Sequence, residues 1–106
     1  MIQEIRKRLR QYRKENIEFN DPHFTEQMIL RGGRKQEVID NILDPKRLAY
    51  VCEEFKGKTV VHDLHFKISN TRTMRLPVIF DKDGQKGLYI LTYIMRYRAW
   101  QNMIRK

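Results

Sequence analysis

The sequence predicts an α+β fold in which N-terminal helices pack on one face of a four-stranded antiparallel sheet. The first observation is a change of hydrophobic period, from helical spacing up to Asp44 to alternation of apolar and polar residues from Arg47 onward. The second is that Lys56-Gly57-Lys58 and Asp81-Lys82-Asp83-Gly84-Gln85 fit hairpin loops, making consecutive strands antiparallel neighbours. The third is a length of 106 residues with no repeat, low-complexity stretch or linker, which suits a single domain over 1–106. Within it the expected order is a basic helix (1–16), a helix pair (21–44), the sheet (47–96) and a basic tail (97–106).

Each element has its own signal. Ile2, Ile5, Leu9 and Tyr12 recur at helical spacing, so a first helix is expected over 2–15. Asp21-Pro22 supplies a start signal and Gly32-Gly33 a stop, giving a second helix over 22–31. Val38, Ile39, Ile42 and Leu43 form the stripe of a third over 35–43, stopped by Asp44-Pro45. Strands are expected at 48–56, 59–68, 73–81 and 87–96, with Ser69 to Arg72 as the remaining connection. Alternation along the second strand puts His62 with Val60, Leu64 and Phe66, as a hydrogen-bonded core histidine, and His65 with Asp63 and Lys67 on the other face. On the fourth strand Tyr93 follows Tyr89 and Leu91 along one face, and Arg96 lies on the other.

Charge bears most directly on function. Lys and Arg number 22 against 13 Asp and Glu, a net charge of +9, which points to polyanionic partners and to nucleic acid before a membrane surface. The longest apolar-to-neutral stretch, Leu88 to Met95, is far too short to span a bilayer, and no signal-peptide pattern opens the chain, so a cytoplasmic location is expected. The single Cys52 has no partner for an internal disulfide and reads as a small buried hydrophobe. Neither Glu54-Phe55-Lys56 with Asp44 nor the three histidines make a metal set, so no metal or cofactor is expected.

His23, Gln27 and Arg31 align along one side of the second helix, while His65 sits among polar neighbours on its strand. His23 and His65 are therefore candidates for acid–base work, Tyr93 for positioning or donating a proton, and Arg31 for holding phosphate. Arg6, Arg10, Arg13, Lys67, Arg72, Arg75, Arg96 and Arg98 are candidates for contacting nucleic acid. Tyr97 and Trp100 among the tail cations suit stacking on unpaired bases, and Trp100, Met103 and Ile104 equally suit docking on the first helix. A helix-turn-helix reading of residues 22–43 fails on Glu37, Asp40 and Asp44, which phosphate would repel.

The run His23-Phe24-Thr25-Glu26-Gln27-Met28-Ile29-Leu30-Arg31-Gly32-Gly33, followed by Glu37-Val38 and closed by Asp44-Pro45, resembles a family of small uncharacterised prokaryotic domains. Their signature is approximately H-A-x-x-R-M-x-x-R-G-I, and their layout is similar to RelE-like and BrnT-like ribonuclease toxins. The resemblance covers roughly residues 19 to 95; His23, Met28, Arg31 and Gly32 match, whereas Phe24, Gln27 and Gly33 depart. It implies a RelE-like fold, a toxin–antitoxin system, an acidic antitoxin as partner and metal-independent cleavage of RNA, which needs a base for a 2′-hydroxyl, cations for the phosphorane and an acid for the leaving oxygen. A noncatalytic nucleic-acid-binding protein is the alternative, since Gln27 removes a cation from the implied site, and a small scaffold protein is a third reading.

Overall fold

A computed structural model describes residues 1–97. In chain order they form α1 (Ile2–Leu9), β1 (Ile17–Phe19), α2 (His23–Leu30), α3 (Lys35–Leu43), β2 (Leu48–Lys56), β3 (Thr59–Lys67), β4 (Arg72–Phe80), β5 (Leu88–Ile90) and β6 (Ile94–Tyr97), joined by short turns. The α+β class and the helices on one sheet face agree with expectation. The sheet does not: it has six strands in the order β1-β5-β4-β3-β2, with β6 also pairing β4, and it is mixed because β1 runs parallel to β5.

α1 is much shorter than the expected 2–15. The amides of Gln11 and Tyr12 reach back three residues, to Arg8 (3.2 Å) and Leu9 (3.1 Å), so the helix tightens and stops. Tyr12 is drawn into the core, its hydroxyl donating to Asp81 at 3.0 Å, and Arg13 is already extended. α2 is one residue shorter at each end than expected, with Pro22 at the N-cap position instead of in the first turn. Asp21 Oδ1 accepts from both the amide (2.9 Å) and the hydroxyl (2.6 Å) of Thr25, and Gly32, at φ 69°, ends the helix in a left-handed conformation.

Leu9, Phe24, Val38 and Ile42 from the helices meet Leu64, Phe66, Met74, Leu76, Val78 and Ile90 from the sheet, all fully buried. Each such side chain contributes about 1.5–3 kcal/mol on leaving water, which makes this layer the main source of stability. Arg6 fastens α1 to the start of β2 through hydrogen bonds to the carbonyls of Pro45 (3.2 Å) and Leu48 (2.5 Å).

The expected strand 87–96 is broken in two. Val78 pairs with Ile90 and Arg75 with Ile94, so the two residues Leu76 and Pro77 stand opposite the three residues Leu91, Thr92 and Tyr93. Pro77 has no amide hydrogen to offer its neighbour, and its carbonyl accepts from Leu91 at 2.9 Å. The extra residue is a β-bulge, and it reverses the alternation. Leu88 and Ile90 face the helices, and beyond the bulge so do Tyr93 and Met95. Tyr93 therefore lies on the face opposite to the one that strict alternation from Tyr89 predicts. Cys52 also departs from expectation: it projects from the edge strand β2 and is exposed, not buried.

Candidate nucleic-acid site on the far face of the sheet

The face of the sheet turned away from the helices collects residues from four strands by register alone. Tyr50 on β2, His65 on β3, Arg75 on β4 and Ile94 on β6 form one row. Lys67, Thr73 and Arg96 form the next row on one side, and Cys52, Asp63 and Pro77 the next on the other. Strands about 4.8 Å apart and rows about 6.8 Å apart place these groups within one patch the size of a few nucleotides.

At its centre, Asp63 Oδ2 accepts a charge-assisted hydrogen bond from the Arg75 guanidinium and lies 3.5 Å from His65 Nε2. The Tyr50 ring meets the His65 ring edge-on, with centroids 5.1 Å apart. Burial pushes the Asp63 carboxyl up, but hydrogen bonds and charge from His65 and Arg75 outweigh it and hold the group below its ordinary 3.8. Asp63 is thus an anion at neutral pH. His65 is 9% exposed, and its Nδ1, like Asp63 Oδ1 and Arg75 Nε, is shielded from solvent with no hydrogen-bond partner among the described residues. Buried polar atoms are normally paired; three of the unpartnered ones lie in this cluster, and others are on His62, Arg72, Thr73 and Tyr93. Lys67 and Arg96 are exposed at the rim.

Of the expected site residues, His65, Arg75, Lys67 and Arg96 come together here. The expected catalytic set His23, Arg31, His65 and Tyr93 does not, because the sheet divides it. Tyr93 is fully buried under α2, edge-on to Phe24 (centroids 6.0 Å). Burial raises its hydroxyl to about 12, so it holds its proton at physiological pH. His23 Nε2 lies 3.0 Å from Thr92 Oγ1, and the Arg31 guanidinium donates to Gln27 Oε1 at 2.9 Å, both at the surface near α2. The bulge separates Tyr93 from His65, since without it the two would share a face, whereas His23 and Arg31 lie with α2 on the helix side.

The other expected contacts scatter. Arg6 is engaged with backbone carbonyls, Arg10 and Arg13 are exposed at and after the end of α1, and Arg72 lies on the helix side, 5.9 Å from the centroid of the Tyr97 ring. Arg98 and Trp100 lie outside the described residues. His62 faces the helix side as expected, its ring edge-on to Phe80, but its Nε2 lies 3.7 Å from Glu53, too far for a hydrogen bond, and its Nδ1 has no partner among the described residues, so the expected hydrogen-bonded role is not met. Tyr50 was not legible as a site residue, because a register shift between Leu48 and Tyr50 decides which face it takes. Asp63 was legible, two residues from His65 on one strand face.

A concavity of about 740 Å³ lies elsewhere, along α3. Its lining mixes Arg34, Lys46 and Arg47 with Glu37, Asp40 and Asp44, so it offers no net attraction to an anion. Among the described residues no three His, Cys, Asp or Glu side chains are grouped to hold a metal, and no helix is long and apolar enough to cross a membrane. No protein-family model, curated protein or solved structure matches the chain.

Proposed function

We propose that the protein binds RNA on the far face of its sheet and cleaves it without a metal, as a cytoplasmic ribonuclease of the RelE-like toxin type. The observation that carries this reading is the convergence of His65, Asp63 and Arg75 in one cluster, rimmed by Lys67 and Arg96. Asp63 beside Nε2 favours a protonated imidazole nitrogen there, leaving Nδ1 to take the proton of a 2′-hydroxyl. The freed oxygen attacks the adjacent phosphorus, and Arg75, with the rim cations, stabilises the charge on the phosphorane. Departure of the 5′-oxygen, with a proton returned from the imidazolium, leaves a 2′,3′-cyclic phosphate. Nδ1 is shielded in the free protein, so the side chains covering it must shift to admit the ribose. The net charge of +9 fits an acidic antitoxin as the masking partner.

The test is labelled RNA incubated with the protein in EDTA. Cyclic-phosphate ends are expected with the wild type and not with His65→Ala, whose RNA affinity changes little. Intact RNA with the wild type refutes the cleavage. A second reading, a noncatalytic RNA-binding protein, draws on the Asp63–Arg75 ion pair, which neutralises the guanidinium nearest the imidazole. It requires salt-dependent RNA binding with no cut product.

A further inference from the structure

We infer that this site takes unpaired RNA and that Tyr50 is the residue that holds a base in it; the inference rests on the RNA reading above. Tyr50 is 42% exposed on the edge strand, and its ring stands at 89° to the His65 ring. Meeting the imidazole at a right angle leaves a ring face available for stacking, which a base still paired within a duplex cannot use.

The charge layout gives the strand a direction. Lys67 and Arg96 sit one row to one side of His65, while Asp63 and, farther along β2, exposed Glu54 sit on the other. Phosphates are drawn to the cationic side and repelled from the carboxylate side. A backbone crossing at His65 then has its phosphates over Lys67 and Arg96 and a base reaching outward to the sheet edge, where Tyr50 is an exposed aromatic group on that face. An intact duplex turns phosphates outward and keeps its bases stacked inside, so it meets the cations but not the ring.

The experiment measures fluorescence anisotropy of three labelled probes on the full chain: single-stranded octauridylate, a duplex RNA of equal length, and a base-free ribose-phosphate octamer. Tyr50→Ala is expected to weaken octauridylate about tenfold and to leave the duplex and the base-free octamer unchanged. Tyr50→Phe, which keeps the ring, is expected to bind octauridylate like the wild type. Octauridylate affinity indifferent to Tyr50→Ala, or an equal loss on the base-free octamer, overturns the inference. Wild-type protein that binds none of the three probes overturns the RNA reading itself, whereas RNA cleavage that persists unaltered in Tyr50→Ala overturns only the role of Tyr50.

Discussion

Removing one oxygen atom separates the two roles that Tyr93 has been given. The side chain is fully buried, and its hydroxyl has no hydrogen-bond partner among the described residues. Leaving such a group unpaired costs about 1–3 kcal/mol. Tyr93→Phe abolishes that penalty and keeps the ring, including its edge-on contact with Phe24. Against this stands the void left by a single oxygen, worth a few tenths of a kcal/mol. The net expectation is a gain of about 1 kcal/mol. With a urea dependence of about 2 kcal/mol per molar for a small domain, the unfolding midpoint rises by roughly 0.5 M. Equilibrium unfolding in urea at pH 7, followed by circular dichroism, measures it, and RNA cleavage by the same sample should match the wild type. A loss of stability of about 1 kcal/mol or more, or cleavage that falls while the fold is retained, would refute the placement of this hydroxyl as an inert core group.

The other predictions concern Gly33, His62 and the rim cations. A Cβ at Gly33 would lie 2.5 Å from both Cζ and the hydroxyl oxygen of Tyr93, which has nowhere to retreat; Gly33→Ala should cost about 1–3 kcal/mol in urea unfolding. His62 is held below its ordinary 6.5, first by burial, with Glu53 opposing and Arg8 adding to the effect. A group whose folded pKa is depressed this way binds its proton more readily when unfolded, so its share of stability is complete above pH 6.5 and fades as pH falls below it. His62→Gln should flatten that part of the stability profile, and an unchanged slope between wild type and variant would exclude the assignment. Lys67→Ala and Arg96→Ala should each lower the slope of log affinity against log salt for single-stranded RNA by about 0.7, a shift absent in Arg6→Ala if that side chain stays on its backbone carbonyls.

How much of this was readable beforehand depends on whether a residue's fate is decided locally. α2, α3 and the first three long strands follow their apolar spacing closely because strong stops bound them: Gly32-Gly33, Asp44-Pro45 and Lys56-Gly57-Lys58. β1 escaped notice since three residues show no period, and its pairing with Leu88–Ile90 lies some seventy positions away. The break between β5 and β6 has its cause in Pro77, on a different strand, and acts only once the two are side by side. For the site, Asp63 and His65 share a strand face and could be paired by inspection. Arg75 joins them through cross-strand register, and Tyr50 through a shift at Ala49 that nothing in the local residue pattern announces. The same blindness to register placed Tyr93 beside His65 when the sheet stands between them.

The parallel pairing of β1 with β5 sets an order of assembly. Ile17 to Phe19 find their partners only in Leu88 to Ile90, and Arg8 and Tyr12 find theirs in Asp81. On a growing chain Ile17 to Phe19 thus emerge long before the strand that pairs with them exists, although Arg6 can already fasten α1 to the start of β2. The hairpins β2–β3 and β3–β4, built from near neighbours, can zip while Ile5, Leu9 and Tyr12 still wait in water. Pairing of β1 with β5 waits on closure of the long loop between them.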